Sequence, residues 1–324
     1  MIDFHSHVIP ETIIGAMRAD PERYATRIED EGGRRYLARG KLRLELLPEF
    51  CVAEGKLEAM DRKGIEISVI SPGPQVFFYN LKEEPGIEAA RLVNNGIAAM
   101  VASKPARLRG MATLPMQHPD AAVAEMERVA REHGFRGIEL ATAAPGGELA
   151  DAKYRPLLRR AQELKMTVFT HPNTIGAAGR LDCYYLTNLI GNPLETTIMV
   201  ANLMFSGALD ELPRLKILLA HGGGFVPYQV GRFVHGHKVR PETRAHTPSS
   251  AKDLLKRFYF DTLTHDPQAL RYLVELVGVE RIVLGTDSPF DMGDESPRGT
   301  LAALSEREIA TLRRNALRLL EEET

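Results

Sequence analysis

The chain has two cysteines, no tryptophan and a formal charge of only −2 across 324 residues. Cys51 and Cys183 lie far apart and in no CxxC arrangement, which speaks against a disulfide framework and fits a reducing cytoplasm. Basic and acidic side chains, 41 and 43 of them, are interspersed, so no basic stripe marks a surface for nucleic acid or anionic membrane. No stretch approaches the ~20 apolar residues of a membrane span. The start, Met1-Ile2-Asp3-Phe4-His5, lacks the basic and apolar regions of a signal peptide. A dinucleotide fingerprint is missing too, because Gly222-Gly223-Gly224 does not fit GxGxxG.

What is present is a rhythm. Eight short runs rich in branched apolar residues punctuate the chain: 2–9, 65–71, 108–114, 135–142, 166–171, 215–221, 258–262 and 281–287. Several are almost continuously apolar, as strands buried on both faces are. Between them, 120–132, 154–164, 194–209, 267–277 and 301–320 place apolar residues at helical spacing. Strand alternating with helix predicts a parallel sheet, and eight such units predict a closed (β/α)₈ barrel. No linker, repeat or low-complexity tract divides the chain, so a single unit is expected over residues 1–324. Residues 10–62 exceed one crossover helix and contain a hairpin-like signal around Arg39-Gly40. They read as a small insertion on the catalytic face.

The chemistry sits at the ends of these strands. His5-Ser6-His7 ends the first, and alternate strand residues point the same way, so both imidazoles can face one ion. His171 ends the fifth strand, His221 the sixth and Asp287 the eighth. Catalytic groups of a barrel converge there, and imidazole with carboxylate suits zinc, or manganese. Four groups suffice as ligands, which leaves a fifth to manage protons. His221, beside three glycines, is the nominee, although sequence alone permits it to exchange places with a ligand. His235-Gly236-His237 has the same spacing but falls in a helical stretch, where positions two apart do not share a face; these read as surface histidines. Glu139, in the fourth strand, is the one candidate for holding a second ion, and a charge paired inside the barrel or with Arg136 is the plainer reading.

The wording around these residues narrows the match. Pro193-Leu-Glu-Thr196, Phe205-Ser-Gly-Ala208, Pro213-Arg-Leu-Lys216, His221-Gly-Gly-Gly224 and Gly285-Thr-Asp-Ser-Pro-Phe290 resemble the α-amino-β-carboxymuconate-ε-semialdehyde decarboxylase family of the amidohydrolase superfamily. The resemblance implies one divalent metal on His5, His7, His171 and Asp287, with His221 as acid/base and Asp287 sharing in catalysis. It further implies a homodimer in which Arg232 crosses to the neighbouring site, a pocket phenylalanine at Phe290, and a carboxylate-binding arginine from the insertion at or beside Arg43. The family's pocket tryptophan has no counterpart, and Tyr184 or Tyr185 occupies that region. The expected activity is metal-dependent, non-oxidative decarboxylation of an aromatic or enolic, muconate-type carboxylic acid. The alternative is a hydrolase or hydratase of a small carboxylated lactone, amide or alkene on the same ion.

Overall fold

The computed structural model describes residues 1–144, 146–173 and 179–321. The first strand, β1 (Ile2–Val8), is buried throughout. After a helix, Glu11–Ala19, come β2 (Arg27–Glu31), β3 (Arg34–Arg39) and β4 (Leu42–Glu45), an antiparallel sheet in the order β2-β3-β4. Two of these strands, β3 and β4, are the expected pair around Gly40. The third, Arg-Ile-Glu-Asp-Glu, is nearly all exposed, so no alternation of apolar and polar residues gave it away. The helix Ala53–Lys63 then leads back to the barrel.

The remaining strands are β5 (Ile67–Pro72), β6 (Leu108–Gly110), β7 (Gly137–Ala141), a two-residue hairpin of β8 (Ala143–Ala144) and β9 (Gly147–Glu148), then β10 (Thr167–His171), β11 (Lys216–Leu219), β12 (Tyr259–Asp261) and β13 (Ile282–Val283). Parallel ladders join β1 to β5, β5 to β6, β7 to β10, and onward through β11 and β12 to β13. Parallel bridges Ala112↔Ile138, Asp3↔Leu284 and Ser6↔Ser288 close the two remaining gaps. The eight parallel strands therefore form a ring, the expected barrel. Their side chains are buried because helices cover the outside and side chains fill the inside; in β7 all five residues are buried.

The helices bury the faces that the spacing predicted. Pro119–Glu132 turns Ala122, Met126 and Val129 inward. Two expected helices are each interrupted. Asn192–Phe205 is separated from Ala208–Glu211 by a turn at Ser206-Gly207. The last helix begins at Glu306, where Ser305 and Glu308 form a capping box, and Leu301–Ala303 is a separate 3₁₀ turn. Among the described residues, no helix is long and apolar enough to cross a membrane.

Candidate metal centre and substrate pocket

One ligand atom from each of His5, His7, His171 and Asp287 lies within 4.8 Å of all the others, and all four residues are buried. The His5 and His7 Nε2 atoms are 3.0 Å apart, and Asp287 Oδ1 is 3.1 Å and 3.0 Å from them. The far nitrogens explain what this closeness requires. His5 Nδ1 is 2.7 Å from Asp261 Oδ2, His7 Nδ1 3.2 Å from the Pro72 carbonyl and His171 Nδ1 2.8 Å from the Pro172 carbonyl. Each of these partners only accepts, so each Nδ1 carries the proton and donates it. Three Nε2 atoms then face one another and a carboxylate oxygen. Among the described residues, neither His171 Nε2 nor Asp287 Oδ1 has a hydrogen-bond partner. Buried acceptors are not left opposed in this way without a positive charge between them, and a divalent cation fits that donor set.

Charge follows the same logic. Burial opposes a charge on His5, but the Asp287 and Asp261 carboxylates outweigh it and push His5 up to about 10. Burial takes His7 down to about 4 and His171 well below the ordinary value. Asp287 is held well below the usual carboxylate range: burial acts against this, and His5, His221 and His7 overcome it.

His221 stands at the edge of the cluster. Its Nε2 is 3.4 Å from Asp287 Oδ2, while its Nδ1 is buried without a partner. Contrary to the strand-end expectation, β11 stops at Leu219 and His221 opens a 3₁₀ turn with φ of +55°. Asp287 likewise has φ of +57°. Left-handed backbone at non-glycine residues costs on the order of 1–3 kcal/mol each and persists where surrounding structure imposes it.

Several residues that hold this site drew no notice in the sequence. Asp3, buried, accepts from His5 N at 3.1 Å and Thr286 N at 3.0 Å. The buried Lys56 ammonium donates to the His7 carbonyl at 2.9 Å and Ser6 Oγ at 3.1 Å, and burial pushes it down to about 8. Asp261, the most connected, stands at the end of the apolar run Phe258-Tyr-Phe-Asp261, and an acid closing such a strand was the signal available. Gly285 packs so closely that a Cβ there would lie 2.7 Å from Asp261 Cβ and 2.8 Å from His5 Cβ.

Glu139 is not paired with Arg136. It is buried behind His7, with Oε2 3.7 Å from the His7 Nδ1. Among the described residues neither oxygen has a hydrogen-bond partner, and burial pushes its carboxyl up to about 8. It lies outside the converging set. The decoy pair sits on the helix Val226–Val239: His235 is exposed and His237 stacks on Phe205.

Two adjoining cavities meet at Asp287. One, of ≈ 360 Å³, is lined by Arg39, Gln75, His171, Tyr185, Asp287 and Phe290. The other, of ≈ 670 Å³, lies against His221, Leu263, Tyr272, Leu273 and Met292. Phe290 is therefore in the pocket, its ring 5.2 Å from that of His7. Tyr185 takes part, whereas Tyr184 is 88% exposed. Arg43 does not reach the site. It is exposed, ion-paired with Glu29 and Glu31 and laid over the Tyr36 ring. Strand alternation explains this, since the adjacent Leu42 lines the cavity and Arg43 must face the other way. The arginine of this small sheet that lines the cavity is Arg39, paired directly opposite Leu42, and burial draws its guanidinium down. Arg232 is exposed on Val226–Val239 and lines neither cavity of its own chain.

The family profile described as amidohydrolase matches residues 2–321. The chain belongs to the amidohydrolase family. It is 33% identical over 252 residues to the 2-amino-3-carboxymuconate-6-semialdehyde decarboxylase of Dictyostelium discoideum, covering 78% of this chain and 70% of that one. It is 30% identical over 262 residues to a gamma-resorcylate decarboxylase of Polaromonas sp., covering 76% and 79%. Among solved structures, a dihydroxybenzoic acid decarboxylase from Polaromonas sp. with bound manganese and the inhibitor 2-nitroresorcinol superposes with a TM-score of 0.79 at 24% identity, covering 99% of this chain and 96% of that one. The branch of the amidohydrolases that the motifs resemble is the one to which this chain belongs.

Proposed function

We propose that this amidohydrolase is a metal-dependent, non-oxidative decarboxylase of a small aromatic or enolic carboxylic acid. The observation that carries the reading is the convergence of three buried imidazole Nε2 atoms and one carboxylate oxygen, opening onto a cavity lined by Arg39. A divalent cation held by His5, His7, His171 and Asp287 would supply Lewis acidity toward the enol or phenol oxygen beside the substrate carboxylate.

The protein's own groups do the rest. Arg39 holds the carboxylate through its planar fork. Phe290 and Tyr185 flank the ring. Asp287 faces the ligand nitrogens with one oxygen and positions His221 with the other. His221 delivers a proton from Nε2 to the carbon bearing the carboxylate. The carbon–carbon bond then breaks, its electron pair returns to the ring, and CO₂ leaves; the net change is replacement of CO₂⁻ by H.

The donor set suits zinc, with manganese the other candidate. The free cysteines, Cys51 buried and Cys183 exposed, fit a reducing cytoplasm. We place Arg232 at a homodimer interface, where it reaches the partner's pocket; its helix also exposes Tyr228 and Val239, which share its face at helical spacing, consistent with burial against a second copy. Metal analysis and a CO₂-release screen over carboxylated phenols and muconate-type acids test the activity. CO₂ without net uptake of water supports it, and ring opening or hydration with no CO₂ overturns it. Mixed dimers of Arg232→Ala with His171→Ala regain partial activity if the site is shared.

A further inference from the structure

We infer that Asp261 couples the metal ligand His5 to the turn that carries His221, so that cation binding and placement of the acid/base report on each other. The inference rests on the reading of His5 as a ligand. Asp261 ends β12 inside the barrel and is fully buried. Its Oδ2 accepts from His5 Nδ1 at 2.7 Å and from His221 N at 3.0 Å. Its Oδ1 accepts from Gly222 N at 2.7 Å and Leu263 N at 3.2 Å. One carboxylate thus orients an imidazole that faces the cation and also fixes two consecutive amides of the catalytic turn.

The turn needs such a tether. His221 and Gly222 both have positive φ, +55° and +60°, and their N–H groups point at Asp261 rather than into a helix or ladder. The carboxylate cannot shift toward His5 without lengthening its bond to His221 N, because both share Oδ2. A bound cation fixes the His5 ring, and that ring fixes Asp261. Coupling of this kind is reciprocal: whatever disturbs the turn must weaken cation binding by the same factor. Asp261 is a positioning residue, since the two groups it acts through do the chemistry.

The test uses the full chain with Zn²⁺ or Mn²⁺ alone as probe, so it needs no substrate. In the wild type, amide exchange at 221–222 is expected to slow when the cation binds. In Asp261→Asn, one acceptor becomes an NH₂ group that cannot serve either His5 Nδ1–H or the turn. Cation affinity, read by competition with a chelator, is expected to drop about 10- to 100-fold, and the cation-dependent slowing at 221–222 is expected to vanish. Gly222→Ala, which touches no ligand and would place Cβ 2.9 Å from Thr264 Cγ2, is expected to weaken cation binding several-fold through the turn. Wild-type exchange at 221–222 that ignores the cation overturns the coupling, whether or not the variants fold; so does Asp261→Asn binding the cation as tightly as wild type. If the wild type binds no cation at all, the metal-enzyme reading itself fails, and the two failures are told apart.

Discussion

The floor of the site and its wall are built on different principles. On the floor, His5, His7 and His171 stand on barrel strands, with every outer nitrogen pinned by an acceptor. On the wall, Arg39 projects from a small antiparallel sheet and lies over the Phe78 ring, Tyr185 is 55% exposed, and Arg232 is exposed and lines neither cavity. The floor is fixed by the fold before any ligand arrives. The wall is finished by substrate and, on our reading, by a second copy. The difference teaches that the groups converging at the strand ends are held on every side, whereas those of the wall are held by few contacts and sit nearer solvent.

Four experiments press on that contrast. The largest effect should come from the floor: His171→Ala removes one of four donors, and loss of several kcal/mol of Lewis-acid stabilisation amounts to about 10³-fold or more in turnover. The variant should also lose the rise in melting temperature that added metal gives the wild type. A variant that stays active and metal-stabilised would mean the floor is not a metal centre. Next, His221→Asn should lower kcat by about 10²- to 10⁴-fold while the metal content of the purified protein holds; a parallel loss of metal would make His221 a ligand.

On the wall, Arg39→Ala should cut kcat/KM about 10- to 100-fold, the worth of a charge-assisted hydrogen-bonded pair. Arg43→Ala, which breaks exposed ion pairs, should stay within about twofold. Steady-state kinetics on one carboxylated substrate decides the matter, and the reverse ranking would move the register of β3 and β4. The smallest effect is thermodynamic. His5 is raised to about 10, so at pH 7 the apo site carries a proton that the cation must displace. Binding should release about one proton, and affinity should climb about tenfold per pH unit from pH 6 to 8. Calorimetry in buffers of different ionisation enthalpy measures this; a pH-independent affinity would show that His5 is neutral beforehand.

Legibility in the sequence followed the same division. Barrel strands are buried on both faces, so their apolar runs stood out, and side-chain alternation placed His5 and His7 on one face before any coordinates. His171, His221 and Asp287 were visible because a lone polar residue closes each run. The insertion hid its third strand, Arg27–Glu31, because an exposed strand needs no apolar pattern. The resemblance pointed to Arg43 or a neighbour, but strand alternation turns Arg43 away from the cavity, while Arg39, opposite Leu42 in the hairpin, faces it. Supporting groups such as Asp3 and Lys56 were unreadable for another reason: a buried charge owes its place to distant partners, as Asp3 and Thr286 are at |i−j| of 283; Asp261 left only the weak signal of an acid closing an apolar run.

Gly285 bears on how such an enzyme can change. Only a hydrogen separates the eighth strand's backbone from His5 and Asp261, so even one methyl group would pry apart the imidazole and its carboxylate. Directed evolution toward new acids therefore has the insertion to explore freely, whereas saturation at position 285 should return glycine alone.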